Sequence, residues 1–596
     1  MRTAVQSRRH AWCGRYPLRS GTGLTLASFW AWGLLLAFVS LGAAGCRKAE
    51  SPAAAGEPAE AAWFADVTEH AGLDFVHEAG PTGHYFMPQM VGSGAALFDF
   101  DGDGLLDIYL LQNGGPKGPR NRLFKQLPDG TFRDVSAGSG LDIAGHNMGV
   151  AVGDINNDGR PDVVVTQYGG LRLFLNNGDG TFTDVTKEAG LDRALLWATS
   201  ACFVDYDRDG WLDLVVVDYV QYDPKRWCAE GSSRQDFCGP NAFPGSVTKL
   251  FHNLGRGTGP HGICFQDVTL ASGLGRQPGP GLGVFCADFD GDRWPDILIA
   301  NDGKPNHLWI NQHDGTFKEE ALTRGVACNA MGRAEANMGI AVGDVDGDGL
   351  FDVYITHLNE ETNTLWKQGP RGMFQDRTVG AALTRSVWRG TGFGTVLGDF
   401  DHDGALDLAV ANGRVKRPRD GPDSAPAAPD QFWRVYGERN QLFRNEGGGR
   451  FRDMSAQNAA FCGTAAVWRG LACGDVFNDG CLDLLVTAVA APARLYRNVA
   501  PKGGHWLTVR ALDPALHRDA YGAEITVRAG KRHWLRWANP GYSYLCSNDP
   551  RAHFGLGPAE RVDGIDVVWP DGSAETFPGC AADRALVLRK GDGEKR

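Results

Sequence analysis

The stretch Asp99-Phe100-Asp101-Gly102-Asp103-Gly104-Leu105-Leu106-Asp107 constrains this chain more than any other, because the same nonapeptide pattern returns six more times. The first positions are Asp99, Asp154, Asp205, Asp288, Asp344, Asp399 and Asp475, separated by 55, 51, 83, 56, 55 and 76 residues. Side-chain oxygens at loop positions 1, 3, 5 and 9 with a glycine at position 6 form a compact cage suited to a hard cation, Ca²⁺ above all. The loop closes at position 9 and runs straight into an apolar strand, as in Asp162-Val163-Val164-Val165. This is unlike the helix–loop–helix calcium hand, which closes at a position-12 glutamate.

A period near 50–55 residues with two enlarged units is the signature of a propeller blade, one four-stranded sheet per repeat. A small residue stands five positions before each loop (Gly94, Gly149, Ser200, Gly283, Gly339, Gly394 and Gly470), as an inner strand around a narrow channel requires. Third strands follow, such as Arg122-Leu123-Phe124 and Gln441-Leu442-Phe443, and then Asp-Gly hairpins such as Asp129-Gly130-Thr131-Phe132. The last unit lacks its fourth strand, and Trp63-Phe64-Ala65-Asp66-Val67-Thr68 stands ahead of the first. The N-terminal strand is therefore expected to complete the last blade and close a seven-bladed ring over residues 63–500, leaving no open sheet edge. Residues 501–596 alternate short β-rich runs with turns and predict a small all-β, sandwich-like domain.

The loops rank themselves. Asp99/Asp101/Asp103/Asp107, Asp205/Asp207/Asp209/Asp213, Asp344/Asp346/Asp348/Asp352 and Asp399/Asp401/Asp403/Asp407 are complete. Asp154/Asn156/Asp158/Asp162 replaces one carboxylate by an amide. Asp288/Asp290/Asp292/Asp296 keeps its ligands but has Arg293 at the turn glycine, and the Asp475 loop has Phe477 at position 3. About six structural Ca²⁺ sites are expected, and six divalent ions would bring the formal charge of −12 to about zero. The alternative for any one loop is a metal-free Asp/Gly turn. The acidity does not favour nucleic acid as a partner.

The N-terminus reads as a targeting segment, with arginines ahead of an apolar run from about Leu24 to Ala44. Ala43-Ala44-Gly45-Cys46 resembles a bacterial lipobox, which would place a lipid on Cys46; a cleaved signal ending near residue 46 and an uncleaved anchor are the alternatives. Each sends the body of the protein out of the cytoplasm. Residues 47–62, rich in Ala, Pro and Glu, read as a tether. In an oxidising compartment Cys228 and Cys238 are the best disulfide pair, inside an insertion from Tyr222 to Pro244. A second insertion runs from Arg414 to Arg434.

With loops, small-residue strands and hairpins in view, residues 63–500 resemble the FG-GAP/VCBS repeat family, which includes the calcium-binding propeller of integrin α chains. The C-terminal segments Arg518-Asp519-Ala520-Tyr521-Gly522-Ala523, Asp549-Pro550-Arg551-Ala552-His553-Phe554-Gly555-Leu556-Gly557 and Val567-Val568-Trp569-Pro570-Asp571-Gly572 resemble the ASPIC/UnbV domain. The combination is that of the cartilage-acidic-protein-1-like family of exported proteins. Cys546 departs from the small polar residue such domains tend to have, with Cys580 as a conceivable partner.

Catalytic signatures are poor: His77-Glu78 with His84 is not a metalloprotease spacing, and no nucleophile elbow, P-loop or dinucleotide fingerprint stands out. Trp197, Trp388 and Trp468 each precede an inner strand, and Trp227 sits in the first insertion. They read either as packing between blades or as a platform for a sugar or a protein loop. The expected function is recognition or adhesion toward a protein or glycan at the cell surface. The competing expectation is an extracellular enzyme acting on polysaccharide or lipid.

Overall fold

The computed structural model describes residues 61–596 apart from 193–194, 231–233, 258–260, 387 and 419–430. The leader, Cys46, nearly all of the tether and the middle of the second insertion lie outside the described residues. Residues 59–596 form one compact unit.

The protein is all-β. Seven four-stranded antiparallel sheets follow one another along the chain, and the first six take their strands in sequence order. The first is built of Ala95–Phe98, Asp107–Leu110, Arg122–Gln126 and Phe132–Asp134. In the seventh, Val467–Gly474, Asp483–Val489 and Arg494–Asn498 are joined by the N-terminal strand Phe64–Asp66, with Phe64 opposite Asn498 and Asp66 opposite Tyr496. A β-propeller made this way needs its inner strands to approach closely, and the small residues permit it. A Cβ on Gly94 would stand 2.7 Å from the Met148 carbonyl oxygen of the second sheet, and one on Gly470 would stand 2.9 Å from the Ser93 carbonyl oxygen at the start of the first. Ser200, the one hydroxyl in the set, instead donates to the Leu282 carbonyl at 2.5 Å.

The C-terminal segment folds as two sheets packed face to face. One centres on His505–Asp513, with Ala552–Gly557 antiparallel and Arg584–Arg589 parallel to it. The other is five-stranded around Ala523–Ala529 and Gly564–Val568. Leu507, Val509, Phe554, Ile525, Val527, Ile565 and Trp569 fill the space between them.

Between the two sheets' strands, residues 539–549 leave the sandwich and run along the axis of the propeller. Ser547 pairs with Ala96, Ser543 pairs with Ile340, and the Leu545 carbonyl accepts from the Val150 N–H at 3.2 Å. Asn539 Nδ2 donates to the Cys286 carbonyl at 3.2 Å, the Ser543 hydroxyl accepts from the Thr395 N–H, and Asn548 Oδ1 accepts from the Cys473 N–H. Gly541 lies where a Cβ would stand 2.9 Å from Cys202 Sγ. One short segment thus touches the inner strand of every sheet. The narrow channel read from the small residues is filled from within the chain, and the C-terminal segment is an axle for the propeller as well as a domain beside it.

Candidate metal centres

The seven acidic loops share one hydrogen-bond scheme. The backbone N–H at position 6 donates to one oxygen of the position-1 carboxylate at 2.7–3.0 Å in every loop. The closing aspartate at position 9 is clamped from two sides. Its Oδ2 accepts from the N–H at position 2 at 3.0–3.2 Å. Its Oδ1 accepts from an N–H at the end of the third strand of its own sheet at 2.8–2.9 Å. The Asp475 loop follows the scheme despite Phe477, so the turn itself does not need the position-3 oxygen.

Position 6 is left-handed throughout, including Arg293 at φ 73°. A side chain there costs about 1 kcal/mol relative to glycine. Arg293→Gly is accordingly expected to raise the free energy of unfolding by about 1 kcal/mol, read as a denaturant midpoint shift at unchanged slope. Position 4 is left-handed as well, a feature the nonapeptide conceals because Asn157, Arg208, His402 and Asn478 stand there beside glycines. Asparagine and histidine are enriched in this backbone, whereas arginine adopts it at a cost.

Burial shapes the electrostatics. Desolvation pushes Asp107 and Asp352 up to about 8 and Asp213 up to about 7, and raises Asp162, Asp296, Asp407 and Asp483 well above the usual carboxylate range. At position 1, burial raises Asp154 to about 6, Asp205 to about 7 and Asp399 to about 8. Four buried carboxylate oxygens within the loops have no hydrogen-bond partner: Asp205 Oδ1, Asp207 Oδ1, Asp290 Oδ1 and Asp346 Oδ1. Such orphans are costly unless another group takes the lone pair. Carboxylate sets Asp99/Asp101/Asp107, Asp205/Asp207/Asp209, Asp288/Asp290/Asp296 and Asp344/Asp346/Asp348 each bring oxygens within 4.8 Å of one another. The donor sets fit a hard divalent cation.

At three positions the ligands read from the sequence already have partners within the protein. Asn156 does not present a free oxygen. Its Oδ1 accepts from the Asp158 N–H at 3.0 Å, and its Nδ2 donates to Asp158 Oδ2 at 2.9 Å. Asp158 is itself taken up, because the Arg160 guanidinium pairs with the same Oδ2 and the Arg160 N–H donates to Oδ1 at 3.0 Å. With one amide among three carboxylates, the set Asp154/Asn156/Asp158/Asp162 ranks below those with four carboxylates. Asp292 is the third position. It is exposed and stands outside the group formed by Asp288, Asp290 and Asp296. His313 Nε2 lies 2.6 Å from Asp292 Oδ2, and the Trp294 N–H donates to Oδ1 at 2.8 Å. Neighbouring cations engage carboxylates of other loops as well: Lys125 on Asp101 and Asp103, Arg324 on Asp290, Lys367 on Asp346 and Arg444 on Asp401 and Asp403. Asp399/Asp401/Asp403/Asp407 keeps the full set of carboxylates, with Asp399 and Asp407 buried.

A second recurring group escaped sequence reading. The Asn or Gln ending a third strand reaches across to the loop of the preceding sheet. Asn176 Nδ2 donates to the Phe100 carbonyl, Asn253 to Ile155, Asn311 to Tyr206, Asn445 to Val345 and Asn498 to Phe400, at 2.7–2.9 Å. Gln126 donates to the Val476 carbonyl of the seventh sheet at 3.0 Å, the same contact made from the first sheet to the last. The signal lay in the recurrent amide after each Leu-Phe or Leu-Trp pair. Asn445→Ala would orphan the Val345 and Leu406 carbonyls and the Gly447 N–H. It is expected to cost about 2 kcal/mol in chemical denaturation.

The tryptophans divide. Trp197 is fully buried among Tyr168, Tyr219 and Tyr222, with ring centroids at 5.0–5.7 Å, and Trp468 is 2% exposed with its indole N–H on the Thr464 carbonyl. Neither can serve as a stacking platform; both pack the interior, because each indole lies under the neighbouring insertion or sheet. Trp388 is half-buried against Ser386 and Gln441. Its shared tripeptide with Trp468 is misleading: Arg389 is exposed, whereas Arg469 is buried on the Met90, Gly413 and Trp468 carbonyls. Trp227 is 57% exposed. Beside it Cys228 and Cys238 are joined, whereas Cys546 and Cys580 remain separate thiols.

These features define an all-β repeat protein whose blades each carry an acidic turn, closed by a C-terminal domain that plugs the axis. Residues 99–165, 154–216, 288–355 and 344–410 match the FG-GAP-like repeat, and residues 513–595 match the ASPIC and UnbV domain. The chain is homologous to cartilage acidic protein 1: it is 25% identical to the Mus musculus protein over 515 residues, covering 81% of this chain and 71% of that one. The Homo sapiens protein is likewise 25% identical over 517 residues, covering 81% and 70%. Among solved structures, a lectin of Agrocybe aegerita specific for non-reducing terminal N-acetylglucosamine aligns over 67% of this chain and 86% of its own. It does so at 17% identity with a TM-score of 0.37, a likeness too slight to bear on function. Among the described residues no helix is long and apolar enough to cross a membrane.

Proposed function

We propose that this is an exported, calcium-stabilised seven-bladed propeller that acts as a recognition or adhesion module for a protein or glycan at the cell surface. It would be tethered through a lipid on Cys46 or released after cleavage. The acidic loops would hold about six Ca²⁺ ions in a structural role, each fixing the start of a second strand. The axle fills the centre, so ligand must be met on the rim. The observation that carries the reading is the braced pair of insertions. The Cys228–Cys238 disulfide holds the first insertion, and Trp433 of the second stacks on its Phe237 at 5.8 Å. Tyr436 donates to Asp236 Oδ1 at 2.7 Å, and the Arg417 N–H donates to Asp236 Oδ2 at 3.0 Å. Out of this rigid patch stands Trp227, with Arg226 exposed beside it. A solvent-facing Trp/Arg pair on a braced loop suits a binding hot spot.

The test is a glycan and protein array probed with the full exported chain, followed by Trp227→Ala on any hit. Binding is expected to weaken at least about tenfold, as for a hot-spot residue, at unchanged melting temperature. Undiminished binding by the variant sinks the rim assignment, and chemically altered ligand would favour the enzyme alternative.

A further inference from the structure

The residue just before each third-strand amide varies from sheet to sheet, and where it is basic it reaches the loop of its own sheet. It is Lys125, Leu175, His252, Ile310, Lys367, Arg444 and Arg497 in order. Four of these are fixed cations resting on loop carboxylates. Lys125 pairs with Asp101 and Asp103, Lys367 with Asp346, Arg444 with Asp401 and Asp403, and Arg497 with Asp479. A lysine or arginine can only compete with a metal for those oxygens. Histidine is the exception, because its neutral ring nitrogen is itself a ligand.

In the third sheet His252 Nδ1 lies 3.0 Å from Asp213 Oδ1 and 3.4 Å from Asp207 Oδ2. The first of these contacts is a hydrogen bond, and atoms this close fit adjacent positions around a small divalent ion with bonds of about 2.0–2.2 Å once the bridging proton leaves. Two ligand groups, Asp205/Asp207/Asp209 and Asp207/Asp213/His252, share Asp207. The same loop holds two of the orphaned oxygens, Asp205 Oδ1 and Asp207 Oδ1, and Asp205 is only 5% exposed. The position-9 carboxylate is otherwise clamped by the Tyr206 and Asn253 N–H groups, and the ring nitrogen lies within one ligand group with oxygens of Asp207 and Asp213.

We propose that the third loop is a mixed carboxylate–imidazole site for a borderline divalent transition ion of the Zn²⁺ class, set by His252, Asp207 and Asp213, with Asp205 grouped beside Asp207. Calcium takes oxygen ligands and gains little from imidazole, whereas zinc binds imidazole and carboxylate together. On binding, the imidazolium gives its Nδ1 proton to solvent, and the neutral ring, still protonated on Nε2, gives the Nδ1 lone pair to the metal. The assignment rests on the loop geometry of this one sheet and does not require calcium in the others.

The experiment is equilibrium dialysis of the full exported chain against zinc in saturating calcium, with bound metal measured by elemental analysis, on wild type, His252→Gln and His252→Lys. The lysine variant rebuilds the arrangement of the first and fifth sheets, so it is expected to fold even if the glutamine variant does not. Wild type is expected to retain one zinc per chain that calcium does not displace. Both variants are expected to lose it, with affinity lower by at least about tenfold, the cost that even a supporting residue carries. Their calcium-dependent melting shift should be unchanged. Zinc retained by the folded variants, or displaced from wild type by calcium, overturns the assignment. Absence of any calcium shift with zinc still lost in the variants would sink the calcium reading and leave this one standing.

Discussion

A chain ending at Ala500 is expected not to fold into a stable propeller, although every blade strand lies before that residue. Removing the C-terminal segment takes away the axle, and the inner strands would then surround an open channel. Tyr544 is fully buried, Leu545 and Cys546 nearly so, and the Tyr544 hydroxyl donates to the Val91 carbonyl at 3.1 Å. Tyr544 and Leu545 pack with Met148, Trp197, Leu282, Met338 and Phe393 from the sheets around them. Backbone groups at Leu97, Val150, Ile340 and Cys473 would lose their partners as well. Each buried group orphaned in this way costs about 1–3 kcal/mol, so the total rivals the roughly 5–15 kcal/mol that typically holds a domain together. The smaller perturbation Tyr544→Ala is expected to cost about 3–5 kcal/mol. Two measurements check this. Residues 63–500 expressed alone should show no cooperative thermal transition, whereas the full chain should melt once. A truncated chain that melts cooperatively near the full chain's temperature would show the axle to be dispensable.

What was legible in the sequence was whatever repeats. The Asp99 pattern located seven turns because hydrogen bonding at positions 1, 6 and 9 admits few side chains. The missing fourth strand after Asn498 pointed to Phe64–Asp66, because an unpaired sheet edge needs a partner. What stayed hidden occurs once or acts across sheets. Residues 541–549 read Gly-Tyr-Ser-Tyr-Leu-Cys-Ser-Asn-Asp, with no strand or helix period, because the segment passes from blade to blade along the axis. Asn176 and its counterparts looked like strand ends, because the carbonyl each one holds lies some 76 to 105 residues away in the chain. Asn156, Asp158 and Asp292 fit the nonapeptide as well as any ligand does. The pattern is silent about Arg160 and His313, the side chains that engage Asp158 and Asp292. Trp197 and Trp468 precede inner strands as read, yet position along the chain says nothing of what lies over an indole. His252 belongs to an ordinary His-Asn pair until the third strand is laid beside its loop.

The second large effect expected is on metal removal, and its sign depends on pH. In the metal-free protein Asp107, Asp352 and Asp399 sit at about 8, and Asp205 and Asp213 at about 7, all through burial. A carboxyl whose folded pKa exceeds its unfolded value of about 3.9 binds its proton more tightly in the folded state. Its contribution is fully present below the unfolded pKa and is lost as pH rises through the folded one. Metal-free protein should therefore lose stability between about pH 5 and pH 8. Asp134, held low by Ser136 and Arg122, works in the opposite sense, but only below about pH 4. Calcium reverses the trend, because it binds the ionised carboxylates and displaces their protons. With dissociation constants of about 10⁻⁴–10⁻³ M, a site at one hundred times its constant adds about 2.7 kcal/mol. Several such sites together rival the stability of a whole domain. The calcium-induced rise in melting temperature should accordingly be small at pH 5 and large at pH 8. Melting curves in calcium and in EDTA at the two pH values decide it. An EDTA curve that coincides with the calcium curve at pH 8 would mean that the seven turns are closed by their own hydrogen bonds and by Lys125, Lys367, Arg444 and Arg497, without metal.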